Sequence, residues 1–390
     1  MNGCSNIIVI GADHYNTYGV VRSLGKAGLK TSVLIVSSTR KSFVLKSKYI
    51  NFGHICSSNE DCINSLTELH KEGKRNIVIA CGDDVQELLI DNYDRLYDKF
   101  ILPIGDNPKL IKDLMNKDNI LIWAEKYGIK IPKTVQVLNR EIPVGIEYPC
   151  LTKPITSLSG HKSDIVVCHN EDELKSVILD ETRCANYIVQ QYIDFEKEIS
   201  ILGAVLNNGE VVFSGCIDKL RTCMIGTSSF AVMTDNAVIG DNIEKVAALL
   251  KESGYRGLFS AEFLKKGDTL YFLEINFRND GNTYVATSSG TNLPFLYVNS
   301  FSENSIDVKL ATLYPHYFML DIEDFRTNYL FGNLTFNEWH KDFKITNCFL
   351  VYDKMDKKPF YHKLSIVICD FINELSKSLR RKVLKLIRHE

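Results

Sequence analysis

Short apolar runs alternate with helical patterns through the first third of the chain. Residues 7–10, 31–36 and 76–80 read as strands, while 17–28, 60–72 and 84–95 place apolar side chains at helical spacing. Such alternation predicts parallel strands joined by crossover helices. The segment Gly11 to Gly19 leaves the first strand and enters a helix, which is where doubly wound sheets place ligands. It lacks the Gly-x-Gly-x-x-Gly spacing of a dinucleotide cradle. A small anion or carboxylate at the helix start and an ordinary strand-to-helix turn remain as its two readings. Gly82-Asp83-Asp84 repeats this topology after the third strand, and Asp84 is expected to cap the helix carrying Val85, Leu88 and Leu89. Pro103 and Pro108 then punctuate the chain, and a helix over 116–127 ends at Gly128, which puts a domain boundary near residue 115.

From residue 134 the rhythm changes to short β-rich segments: 134–138, 149–153, 165–168, 187–191, 197–206, 210–217, 257–264 and 270–275. Antiparallel pairing with few helices follows, with hairpin turns at Asn207-Asn208-Gly209 and Lys266-Gly267-Asp268. Residues 1–115, 116–305 and 306–390 thus form three regions. The last, with Glu338-Trp339-His340 and 353–359, reads as a small capping region. Its end, 371–390, carries six basic residues (Lys377, Arg380, Arg381, Lys382, Lys385, Arg388) against Glu374 and Glu390, beside an apolar stripe of Leu375, Leu379, Val383, Leu386 and Ile387. A basic amphipathic helix of this kind either lies on an anionic membrane surface or packs on the domain with a solvated basic face.

Composition narrows the function classes. A chain of 390 residues with 45% hydrophobic residues can build two or three cores, which excludes disorder and fibrous repeats. Forty-six basic against 48 acidic residues leave a formal net charge of −2, so no global field recruits nucleic acid or membrane. The nearest approach to a bilayer span, Leu364 to Ile372, is too short and is interrupted by Asp370. Eleven cysteines without a Cys-x-x-Cys pair, mostly among apolar neighbours, read as reduced thiols of a cytoplasmic protein, with contact at the inner membrane surface resting on the basic tail alone.

The strongest chemical signal is Leu258 to Leu264, a turn, then Leu270 to Arg278. A hairpin about residue 268 sets Glu262 roughly opposite Glu274, and alternation puts Glu274, Asn276 and Arg278 on one face. Facing carboxylates repel unless a cation sits between them, and Mg²⁺ suits this oxygen-rich set. Arg278 beside it is placed to grip a phosphate oxygen. Lys153 ends an apolar strand as a point charge for phosphate; Lys117 starts the helix before Gly128. Gln190-Gln191-Tyr192-Ile193 offers an amide and a backbone edge for a base, and Glu198 a carboxylate for a ribose.

In order and spacing these residues resemble the ATP-grasp superfamily over about residues 100–305. The carried pattern is Lys117 before Gly128 to Pro132, Tyr148-Pro149 to Lys153-Pro154, Gln191-Tyr192-Ile193, Glu262, and Glu274 to Arg278. The resemblance implies a Rossmann-like α/β domain followed by two α+β lobes that clasp ATP. It assigns Lys117 and Lys153 to the phosphates, Gln191 and the backbone to Ile193 to adenine, and Glu198 to ribose. Glu262, Glu274 and Asn276 would hold Mg²⁺, with Mn²⁺ able to substitute. Asp218-Lys219-Leu220-Arg221 is similar to the basic segment near the transferred phosphate, which makes Arg221 catalytic beside Lys153 and Arg278. Asn16 to Gly19, Gly82 to Val85 and Asn292-Leu293-Pro294 resemble carboxylate-amine ligases of the D-aspartate ligase-like group. Three positions depart from the pattern: the loop Thr156 to Ser163 has one glycine, with His161 and Lys162 to assist it, Gln191 replaces a common glutamate, and Phe277 a common proline.

The implied activity joins a small carboxylate to an amine through an acyl phosphate, on an amino acid or sugar acid of a surface polymer, in a chain of a kind often found as homodimers. The rival readings are an ATP-binding regulatory module without ligase chemistry and an enzyme with another acceptor, a kinase or a carbamoyl-phosphate type.

Overall fold

The computed structural model describes residues 5–155, 165–224, 227–303, 312–370 and 372. The loop 156–163, with His161 and Lys162, lies outside the described residues, and so, apart from Ile372, does the basic segment 371–390.

The chain opens with β1 (Ser5–Gly11), α1 (Tyr15–Lys26), β2 (Thr31–Val36), β3 (Ile50–Cys56), α2 (Asn59–Glu68), β4 (Arg75–Cys81), α3 (Asp83–Asp91) and α4 (Tyr93–Leu96). The four strands form a parallel sheet in the order β3-β2-β1-β4. β3 is absent from the hydrophobic pattern because it is an edge strand whose residues 51–53 are exposed, so it needs no apolar run. Gly11 ends β1 where a Cβ would lie 2.4 Å from Thr17 Oγ1 and 2.8 Å from the Cys81 Cβ. Only glycine lets α1 begin so close to β4. α3 differs from expectation: its N-cap is Gly82, and no side chain, Asp84 included, caps it.

After α5 (Pro108–Leu114) and α6 (Lys117–Lys126) come β5 (Thr134–Val137), β6 (Cys150–Pro154), β7 (Val166–Cys168), α7 (Glu171–Ile178) and β8 (Tyr187–Gln191). They form a small antiparallel sheet, β5-β8-β6-β7, over its own core of Val137, Cys150, Leu174, Val177 and Tyr187. Next follow β9 (Lys197–Val205), β10 (Val211–Met224), β11 (Thr227–Thr234), α8 (Asn242–Ser253), β12 (Gly257–Lys266), β13 (Thr269–Asn276), α9 (Thr283–Ser289) and α10 (Leu293–Asn299). The chain continues through β14 (His316–Met319), α11 (Asp321–Asp324), α12 (Phe336–Ile345) and β15 (Cys348–Phe349). The large sheet runs β13-β12-β9-β10-β11-β14-β15. The segment after 306 therefore extends this sheet through β14 and β15 instead of only capping it.

The parallel and large sheets share their cores. Ile8 and Val78 cluster with Val205 and Phe259, and Ile7 and Val9 with Leu202 and Phe318. Arg22, fully buried on α1, ties the ends of the chain together by donating to the carbonyls of Phe349, Leu350 and Tyr352 at 3.0–3.2 Å while its guanidinium lies 3.3 Å from the Tyr284 ring centre. The boundary at 115 is one of chain order and not of packing. Among the described residues no helix is long and apolar enough to cross a membrane.

Candidate functional site

Strand pairing builds the centre of the site. β12 and β13 pair Glu262 with Glu274 and Ser260 with Asn276, so two carboxylates face each other beside an amide. Burial, and then the charge of Glu274, push the Glu262 carboxyl up to about 8, against the pull of Lys219. An acid so raised keeps its proton at neutral pH until a cation displaces it. Asn276 donates through Nδ2 to Ser260 Oγ at 3.1 Å and to Glu262 Oε1 at 3.4 Å, and its Oδ1 accepts from Arg278 at 3.0 Å. To offer its oxygen to a metal, this side chain must rotate its amide.

Cations ring the pair. Lys117, the first residue of α6, places Nζ 3.4 Å from Glu274 Oε2. Lys153 on β6 donates to Gln190 Oε1 at 2.9 Å. Burial and then the Lys117 charge lower its ammonium to about 8, while Glu274, Glu262 and Glu198 raise it. One field thus couples both predicted phosphate lysines to all three predicted acids. Glu198 is in an ion pair with Lys219, whose pKa stays above its ordinary value because Glu262 and Glu198 outweigh burial.

The predicted adenine edge runs from the end of β8 toward β9 and is held to the small sheet. Gln190 Nε2 donates to Thr134 Oγ1 at 3.0 Å, the Gln191 N–H to the Lys133 carbonyl at 2.8 Å, and the Tyr192 N–H to the Pro149 carbonyl at 3.1 Å; Ile193 is buried.

Arg278 binds the two halves together. It donates to both oxygens of Asp83, at 3.1 and 3.3 Å, and lies 3.7 Å from Asp280. Asp83 opens α3, so the N-terminal domain reaches directly into the site. A cavity of about 270 Å³ lies there, lined by His14, Asn16, Asp83, Glu262, Arg278 and Asp280 among others. A second, of about 350 Å³, holds Lys117, Glu274, Asn276 and Arg278. The two meet at Asp83, Arg278 and the hairpin. His14 caps α1 by accepting from the Asn16 N–H, and burial, then Lys363 and Arg278, lower it to about 4, so it is neutral near pH 7.

Arg221 is elsewhere. Its guanidinium grips Asp324 at 2.9 Å through two nitrogens and Asp342 at 2.7 Å, against the Phe230 ring. It lines neither of these two cavities, and its ion pairs tie β10 to α11 and α12. Sequence reasoning missed Asp83 as the Arg278 partner, Asp280, and the reciprocal amide pair of Asn16 and Asn279. The one available signal was the polar run Asn279-Asp280-Gly281-Asn282 directly after Arg278.

Residues 124–292 match the ATP-grasp domain family. The D-aspartate ligase of Enterococcus faecium is 25% identical over 317 residues, which cover 73% of this chain and 74% of that protein. A formate-dependent phosphoribosylglycinamide formyltransferase of Nitratiruptor is 29% identical over 178 residues; the match takes in 44% of this chain and 46%, less than half, of that enzyme. In fold, the chain is similar to an ADP complex of N5-carboxyaminoimidazole ribonucleotide synthetase, with a TM-score of 0.62 at 16% identity over 79% of this chain and 80% of that one.

Proposed function

Residues 124–292 match the ATP-grasp domain family, and on that premise we propose that the chain is an ATP- and Mg²⁺-dependent carboxylate-amine ligase. One observation carries the reading: Glu262 and Glu274 face each other in register, inside a ring of Lys117, Lys153 and Arg278. The pair fits a hard divalent cation, because Glu262 is held protonated near neutrality by burial and by Glu274, a cost that such an ion removes. When bound, Mg²⁺ neutralises charge on the nucleotide phosphates.

The residues then divide the work. Lys117 and Lys153 hold phosphate oxygens, Gln191 to Ile193 the adenine, and Glu198 the ribose. The cavity between the N-terminal loops and the hairpin takes the substrate carboxylate, whose oxygen attacks the γ-phosphorus as the bridging P–O bond to ADP breaks. Arg278, fixed by Asp83 and Asp280, stabilises charge spread over the transferred group. The amine nitrogen attacks the carbonyl carbon of the acyl phosphate, phosphate leaves with the C–O bond pair, and the nitrogen gives up a proton. The D-aspartate ligase relative supports an amino acid as one substrate.

Hydroxylamine as surrogate amine tests this over a panel of amino acids and sugar acids. Hydroxamate formed with one acid, and lost in Lys153→Ala, is the expected result. Tight MgATP binding with no hydroxamate from any acid would favour an ATP-binding module without ligase chemistry.

A further inference from the structure

On the edge strand of the parallel sheet, two strands from β1, a second group of ligating side chains lies outside the ATP site. His54 and Cys56 are two apart on β3 and so share a face, and Asp61 stands in the first turn of α2. One ligand atom from each of the three lies within 4.8 Å of the others. Their orientation is built. Asp61 Oδ2 accepts from the Ser57 N–H at 2.8 Å and from Ser57 Oγ at 3.1 Å, while Oδ1 accepts from Ser65 Oγ at 3.4 Å and lies 3.5 Å from His54 Nε2. That separation is long for an N–H···O hydrogen bond, yet near the edge of about 3.3 Å that tetrahedral bonds of about 2.0–2.1 Å to one ion require. The Cys56 thiol is buried and held by a hydrogen bond with that of Cys62, while His54 and Asp61 stay partly exposed at the rim.

We propose that His54 Nε2, Cys56 Sγ and Asp61 Oδ1 form a site for a zinc-class divalent ion, with water in the fourth position. Nitrogen, sulfur and oxygen from three such residues suit a borderline-soft tetrahedral ion, whereas the hairpin acids suit Mg²⁺. Binding releases the Cys56 proton to solvent. The ion would pin the end of the edge strand β3 to the start of α2, which no backbone ladder does.

Cobalt titration of the reduced full chain tests the site, because thiolate-to-Co²⁺ charge transfer reports sulfur ligation and the hairpin oxygens give none. One equivalent should raise that band, Zn²⁺ should displace it, and excess Mg²⁺ should not. His54→Gln, at a partly exposed position on the edge strand, should weaken Co²⁺ binding at least about tenfold, since loss even of an outer partner costs that much. Cys56→Ser should abolish the band; Cys62→Ser and Glu274→Gln should keep it. Zn²⁺ should raise the Tm of the native chain but not of His54→Gln. Absence of the band, or its persistence at native affinity in His54→Gln, would overturn the site and leave a surface His–Asp pair beside a buried thiol. If Cys56→Ser fails to fold, the His54→Gln arm decides alone.

Discussion

The small sheet and the large sheet hold opposite sides of the proposed nucleotide site on very different foundations. β5 to β8 have three to five residues each and rest on a private core that includes Cys168, Leu174 and Ile178. β9 to β13 have 8–14 residues, and the side chains of this sheet enter two clusters shared with the parallel sheet and the C-terminal segment. Shared cores raise the cost of opening any one part, and a private core lets its element open alone. Glu262 and Glu274, the acids proposed to hold the metal, therefore stand on the rigid half, and Lys153 and the Gln190–Ile193 edge on the half that is free to adjust to a ligand.

The sharpest way to break this comparison is to disarm each half in turn. Glu274→Gln should lower turnover on the order of 10³-fold or more by removing a metal oxygen, with Tm unchanged; a parallel fall in Tm would make the residue structural. Lys153→Ala should cost on the order of 10²–10³-fold, and unaltered ATP consumption would deny the small half its catalytic share.

Stability separates the halves next. Leu174→Ala should cost about 2–5 kcal/mol, seen in hydrogen exchange as opening of the small-sheet amides while the large sheet stays protected. Phe259→Ala, in the shared core, should lower the Tm of the whole chain by a similar energy; one common transition for both variants would break the comparison.

The smallest effect is a pH dependence. Lys153 loses its proton near 8 in the ligand-free protein. ATP affinity should therefore be full below that pH and fall by up to about tenfold per unit above it, at about 1.4 kcal/mol per unit. The unfolded chain keeps that proton to about 10.4, so the same group makes the ligand-free fold more stable as pH rises through this window. Lys153→Arg, charged throughout, should flatten the affinity profile, and the difference between the two profiles removes the contribution of Glu262.

Local chemistry made much of this legible. Alternation and a short turn bring Glu262 to the neighbourhood of Glu274, but the turn alone sets Phe263 against Phe272 and would leave Glu262 opposite Leu273; a bulge between Glu262 and Phe263 shifts the register by one and brings Glu274 across. Apolar runs revealed β1, β2 and β4 because strands buried on both faces must be apolar, while β3 with Asn51 and Gly53 at an exposed edge gave no such signal. β11 was missed because Ser228 and Ser229, both buried, and Thr227 dilute its apolar pattern. α7 and α8 went unread within a stretch whose strands dominated.

The sequence by itself placed the two hairpin acids roughly opposite each other, and a pattern carried in order along the chain named the lysines found beside them, since each depends on neighbours a few residues away or on that order. Only the tertiary structure decided what the arginines do. Arg278 and Asp83 are 195 residues apart, Arg221 and Asp324 103. A guanidinium pairs with whichever carboxylate the packed sheets bring within reach, and that choice is made by the shared core and not by the residues on either side of it.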